Sequence, residues 1–179
     1  MSKKKIEVFD YAKEILAALP KGILLNTKAG DKVNSMVIGW GSIGIEWGSP
    51  IFTAYVREGR YTMSLLKENP EFTISIPLEG AFDADIIKTC SVKSGREIDK
   101  IKEAGLTLEE PEVISVPGLR EFALTLECKL VLASEQELSK MDSSLMKWYP
   151  QDVPSSSTGS NKDTHIALSG EIVAAYIIE

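Results

Sequence analysis

From position 120 to 134 the chain alternates with a period of two. Phe122, Leu124, Leu126, Cys128, Leu130 and Leu132 fall on one side, with Glu121, Thr125, Glu127 and Lys129 on the other. That period belongs to an extended strand with one face against a core. It is the longest strand the sequence predicts, and it commits the chain to a mainly β architecture. Shorter runs join it. Residues 22–27 and 32–40 flank Lys28-Ala29-Gly30-Asp31, which reads as a hairpin turn. Residues 51–57 form a third run, and residues 71–77 a fourth with Phe72, Ile74 and Ile76 on one face. Residues 164–178 close the chain as a strand in which Gly170 marks a bulge or a close backbone approach.

Helical spacing is found at the edges of this pattern. Val8, Phe9, Ala12, Ile15, Leu16 and Leu19 recur on one helical face up to Pro20. A short helix is expected over 61–69, closed by Pro70, another over 81–89, and a third over 97–104 with Gly105 in the left-handed cap position. Residues 41–50, with Gly41, Gly44, Gly48 and Pro50, read as a loop, as do residues 90–96; residues 150–163, rich in Ser, Pro, Asn and Gly, read as an exposed loop. Residues 141–149 favour no one state. Together these features predict an antiparallel barrel, closed or nearly so, with peripheral helices and one domain over 1–179.

Composition narrows the function. The chain has 179 residues, 44% of them hydrophobic, and a formal net charge of −6. A core of ordinary size fits that length, and the acidic balance offers no footprint for nucleic acid. No apolar run reaches the roughly 18–20 residues that span a bilayer, and Lys3-Lys4-Lys5 leads into no signal-peptide core. Cys90 and Cys128 are too few for a disulfide framework, so the expected setting is cytoplasmic.

Chemistry concentrates at the end of the third strand. Arg57, Arg60 and Thr62 stand where a turn opens a helix, and free helix amides with arginine forks suit a phosphate. The competing reading is two exposed arginines and an N-capping threonine. Val37, Ile38, Trp40 and Trp47 offer apolar surface for a flat ring. Lys93, Ser94 and Arg96 around Gly95 form a second candidate anion contact, or else Ser94 and Glu97 make a capping box. His165 is the only histidine, which excludes a two-histidine zinc site, and no G-x-S-x-G elbow, P-loop or dinucleotide fingerprint is present. A lone histidine at a strand start is also commonly structural or exposed. Cys90 is a redox candidate without a C-x-x-C partner, and Cys128 reads as core.

Five separated pieces resemble, in order, the flavin reductase-like, FMN-binding split-barrel family, flavoredoxin-like members in particular. They are N-S-M-V-I-G-W at 34–40, P-I-F-T-A-Y-V-R-E-G-R-Y-T at 50–62, E-F-T-I-S-I-P at 71–77, C-S-V-K-S-G-R-E-I-D-K at 90–100 and H-I-A-L-S-G-E-I at 165–172. The resemblance implies a six-stranded antiparallel split β-barrel of Greek-key type and a homodimer with FMN near the subunit interface. By matching position, Asn34, Ser35, Met36, Val37, Ile38, Gly39 and Trp40 would line the ring and ribityl chain. Arg57, Arg60, Tyr61 and Thr62 would address the phosphate; Cys90, Ser91, Lys93 and Ser94 would close over the flavin. His165 matches a histidine beside the nicotinamide or flavin edge, the catalytic candidate. Val37 stands where threonine or alanine is common, and Ser91 where glycine is frequent. The implied function is an FMN-dependent oxidoreductase, with NAD(P)H as candidate donor and free flavin, a metal complex or an iron–sulfur protein as acceptor. The alternatives are an FMN electron-transfer protein without nicotinamide activity, and a flavin-free binding module on the same barrel.

Overall fold

The computed structural model describes residues 2–78, 83–149, 152 and 162–179. Ten strands are present among them: β1 (Lys3–Lys5), β2 (Ile23–Ala29), β3 (Lys32–Ile38), β4 (Gly41–Glu46), β5 (Ser49–Arg57), β6 (Glu71–Ile76), β7 (Leu108–Glu109), β8 (Gly118–Leu119), β9 (Leu124–Glu135) and β10 (His165–Ile178). The α-helices are α1 (Ala12–Ala18), α2 (Tyr61–Glu68), α3 (Ala84–Val92) and α4 (Lys100–Glu103). Eight strands form one antiparallel sheet in the order β3-β2-β6-β9-β10-β5-β4, with β1 paired to the end of β10; β7 and β8 pair separately. The strand count therefore exceeds the expected six. β3 and β4, the two ends of the path, share no ladder among the described residues, so the barrel is split.

The chain crosses that split through Gly39 and Trp40, and the Trp40 carbonyl accepts the Tyr55 N–H at 3.2 Å. One buried cluster draws from six strands, β2, β3, β5, β6, β9 and β10: Leu25, Ile38, Phe52, Val56, Phe72, Ile74, Leu126, Cys128 and Leu168, joined by Ile15 and Leu19. Because residues of β3 and β5 meet there, the sheet curls around its own core. A second cluster packs Leu24, on the opposite face of β2, against Ile86, Cys90, Leu106, Leu119 and Phe122.

Four expectations need correction. Residues 41–50 are not a loop; β4 and β5 form a hairpin whose turn residues Trp47 and Gly48 have φ of 51° and 78°. Two consecutive positive φ values suit a tight hairpin turn, and only the glycine adopts them freely. β9 buries both faces at its start, since Thr125 and Glu127 are fully buried, while Leu132 is 44% exposed. The Glu127 carboxylate accepts the N–H groups of Glu112, Val113 and Ile114 at 2.6, 2.8 and 3.1 Å, which covers the face expected to meet water. The helix expected at 81–89 runs over Ala84–Val92 and takes in Cys90; residues 81 and 82 lie outside the described residues. The helix expected at 97–104 is only the single turn Lys100–Glu103, capped by Asp99, so no capping box forms at Ser94.

The expected loop at 150–163 lies outside the described residues apart from Asp152, Lys162 and Asp163. Residues 143–148 form a 3-10 helix, and no described helix is long and apolar enough to cross a membrane.

Candidate functional site

β3, the start of α2, the segment following α3 and the first residue of α4 enclose a hollow of about 180 Å³. A neighbouring hollow of about 190 Å³ is lined by Met36 to Trp40, Tyr55, Arg57, Arg60 and His165. The two share Met36, Val37 and Arg60, so they are one cleft running along β3.

The first hollow is the cationic end. Arg60 occupies the N-cap position of α2, and Tyr61 and Thr62 are the first two helical residues, so Thr62 is not the cap. Burial lowers the Arg60 pKa, with Asp163 opposing and Arg57 adding to the shift. Lys100 also lines this hollow at 6% exposure, donating from Nζ to the Cys90 carbonyl at 2.8 Å. Burial depresses its pKa first; the Cys90 thiol opposes this and Arg60 reinforces it. Two partly desolvated cations thus repel one another across the hollow. Glu97, the acid among the lining residues, is exposed.

Polar groups complete this end. Asn34 is buried and donates from Nδ2 to the Thr62 hydroxyl at 3.2 Å, while its Oδ1 has no hydrogen-bond partner among the described residues. Gly95 presses against that oxygen so closely that a β-carbon there would lie 2.0 Å from it. Arg96 holds the same segment down: its guanidinium sits 5.4 Å from the Tyr61 ring centroid and donates to the Gly59 carbonyl at 3.1 Å.

The second hollow ends in an aromatic corner. His165, at the start of β10, pairs in register with Arg57 of β5. Its ring lies 4.7 Å from that of Trp40 at a 41° tilt, and Trp148 meets Trp40 edge-on at 5.4 Å. His165 Nδ1 is 2.8 Å from the Tyr149 hydroxyl, which donates to Gln136 Oε1 at 3.1 Å. Burial, followed by the charge of Arg57, lowers the histidine pKa to about 4; Asp163 opposes the shift and Arg60 adds to it. The imidazole is therefore neutral at physiological pH.

The cleft thus gathers Asn34, Met36, Val37, Ile38, Gly39, Trp40, Arg57, Arg60, Tyr61, Thr62, Cys90, Ser91, Lys93, Ser94 and His165. Ser35 lines neither hollow and is fully buried beside the Cys90 thiol. Burial pushes that thiol up, which suits a packed thiol rather than a reactive thiolate. Trp47 stands at the β4–β5 turn, outside both hollows and 63% exposed. Arg57 donates to the carbonyls of Asp163 and Trp148 at 2.7 and 2.9 Å, so its fork is engaged at the aromatic end. Lys93 is paired with Glu103 at 2.8 Å, and Ser94 Oγ accepts the Arg96 N–H at 3.2 Å.

Lys100, Asp163, Tyr149 and Gln136 are site residues that pattern reading misses. Lys100 ends the matching piece at 90–100 and falls within the helix expected at 97–104 without a role of its own, and Asp163 ends the polar loop expected at 150–163. In the structure Asp163 is buried and accepts the Gly59 N–H at 2.7 Å. No spacing in the sequence signals either contact.

Among solved structures, a flavoredoxin from Methanosarcina acetivorans matches with a TM-score of 0.62 and 25% identity, covering 88% of this chain and 68% of that one. An FMN-binding domain of a flavin reductases-like enzyme from Shewanella baltica shares the fold with a TM-score of 0.64 at 14% identity, covering 98% and 77%. An uncharacterized protein of Archaeoglobus fulgidus is 29% identical over 101 residues, 56% of this chain; the match spans about half of that relative's length, 55%. The model of the flavin reductase like domain matches residues 16–179, nearly the whole chain and the whole of the cleft, so the protein belongs to the flavin reductase-like domain family.

Proposed function

We propose that the protein is an FMN-dependent oxidoreductase that takes electrons from a donor such as NAD(P)H and passes them to a small-molecule or protein acceptor. The observation that carries this reading is the pair Arg60 and Lys100, one half-buried and one buried at the same hollow, each lowered in pKa first by burial, with the Arg60 charge adding a repulsion at Lys100. A dianionic phosphate between them would relieve that repulsion, and α2 amides favour the same charge.

The rest of the cleft fits FMN as well. Asn34 Oδ1 is a buried acceptor in need of a hydroxyl proton, which a ribityl chain provides. Met36, Val37 and Trp40 supply apolar surface for the ring, and His165 stands at the far end, 4.7 Å from Trp40. When bound, FMN supplies the redox chemistry, accepting a hydride and releasing one or two electrons. The chain's part is to neutralise the phosphate, hold the ring and keep an uncharged imidazole at its edge.

The test compares FMN with riboflavin, which lacks the phosphate. A charge-assisted hydrogen bond contributes roughly 1.5–3 kcal/mol, or about tenfold and more in affinity. Arg60→Ala and Lys100→Met are each expected to weaken FMN by at least about that factor in a fluorescence titration and to leave riboflavin nearly unchanged. Equal losses for both flavins would show that the cations support the fold instead. An anaerobic spectrum before and after NADH or NADPH tests the donor.

A further inference from the structure

We propose that Gln136 and Tyr149 together fix the tautomer of His165, with the proton on Nδ1 and Nε2 left as a hydrogen-bond acceptor for an N–H or O–H of the ligand in the cleft. The ligand clause rests on the proposed function; the tautomer does not.

The argument starts from proton counting. A tyrosine hydroxyl has one proton to give, and a neutral imidazole has one N–H and one lone pair. Tyr149 donates its proton to Gln136 Oε1 at 3.1 Å. Its oxygen, 2.8 Å from His165 Nδ1, is then an acceptor for that nitrogen, which must carry the imidazole proton. The three residues come from different parts of the chain: Gln136 directly after β9, Tyr149 after the 143–148 3-10 helix, and His165 at the first position of β10. Gln136 is held beside His165 by its own backbone, whose N–H donates to the His165 carbonyl at 3.0 Å. Tyr149 is 4% exposed, with its ring edge-on to the imidazole and the Arg57 guanidinium 5.1 Å from its centroid. Tyr149 and His165 are buried and Gln136 is half-buried and tied to His165 by its backbone, which limits the freedom of the hydrogen-bonded chain to reverse direction.

The charged groups around the ring are Arg57, Arg60 and Asp163. Burial and the two arginines keep it neutral against the opposing charge of Asp163, so with Nδ1 protonated Nε2 retains its lone pair in a ring that lines the hollow. A carboxamide or a reduced ring nitrogen presents a suitable N–H. A carboxylate does not. The corner therefore selects donors, and Tyr149 is a positioning residue acting through His165.

Because His165 is the sole histidine, protein labelled with 15N-histidine shows one imidazole. Two-bond 1H–15N correlation spectra between pH 6 and 8, without and with FMN, read the tautomer directly. The parent is expected to show a protonated Nδ1 and an unprotonated Nε2. Tyr149→Phe and Gln136→Leu are expected to shift the population toward the Nε2–H form, while Gln136→Glu, whose carboxylate can only accept, keeps the parent pattern. A parent with the proton on Nε2 overturns the proposal, since that arrangement follows if the Gln136 amide donates to Tyr149. A Tyr149→Phe tautomer unchanged from the parent, in protein with an unaltered circular dichroism spectrum, overturns it too. FMN affinity is measured separately, so a protein that binds no flavin leaves the tautomer result standing.

Discussion

Arg57 and Arg60 are three positions apart, yet the fold gives them different surroundings. Arg57 ties the carbonyls of Trp148 and Asp163, whereas Arg60 faces the hollow shared with Lys100. Sequence spacing treats the two arginines as equivalent; direction along a strand end separates them. His165 shows the same dependence on surroundings. Its ordinary pKa of 6.5 drops to about 4 because burial and Arg57 disfavour the cation. Between those values the unfolded chain binds the proton and the folded one does not, so stability rises with pH. The contribution is complete above about pH 6.5 and is lost as the pH falls through about 4. At pH 5 the loss from this one group is about 2 kcal/mol. Urea unfolding at pH 7.5 and 5.0 is expected to show a larger drop for the parent than for His165→Gln, by roughly that amount. Equal drops would mean that the imidazole is open to solvent.

At the scale of elements, the main strands and their turns follow from alternation and punctuation, but β4 does not. Gly41 and Gly44 interrupt its pattern, and Trp47-Gly48 is not a residue pair that announces a hairpin. Gly41 is required by approach rather than by turn geometry: a β-carbon there would lie 2.7 Å from the Thr53 carbonyl oxygen. Gly170 combines both properties expected of it. The β9–β10 register shifts between Ser169 and Gly170, and a β-carbon at Gly170 would lie 2.4 Å from Phe72 Cζ. The Phe72 ring therefore packs across β9 onto the Gly170 backbone. Gly170→Ala overpacks this contact and is expected to cost about 1–3 kcal/mol. Thermal melts of Gly170→Ala, Phe72→Leu and the double variant check it. The double variant should recover part of the loss, because Leu vacates the space the new methyl needs. Strict additivity would place the strain elsewhere.

For the whole molecule, the split between β3 and β4 leaves the cleft open beside exposed aromatics. Trp40 and Trp148 are 39% and 50% exposed and line a third, mostly apolar hollow of about 450 Å³ that adjoins the second at Gly39, Trp40 and Tyr55. We propose that a second copy of the chain covers this side in a homodimer, since large exposed aromatics are enriched in interface cores. Light scattering at micromolar concentration is expected to give twice the chain mass, and Trp148→Asp is expected to shift it toward the monomer. A monomeric parent that still binds FMN would refute the dimer without touching the flavin reading.

Sequence alone determined the β class, most strand positions, the helix that starts at Tyr61 and the family, because each rests on local periodicity, turn residues or ordered motif spacing. It also brought Asn34, Arg60, Thr62, the residues from Cys90 to Ser94 and His165 together as one candidate site. Tertiary structure decided which of their atoms face one another. Lys100 becomes the second cation of the hollow only because α4 is a single turn packed beneath Cys90. Asp163, Tyr149 and Gln136 join the site only because β10 runs antiparallel between β9 and β5 and brings their segments to one corner. Burial, and with it the neutral state of His165, belongs to neighbours far away in the chain, and periodicity carries no record of them.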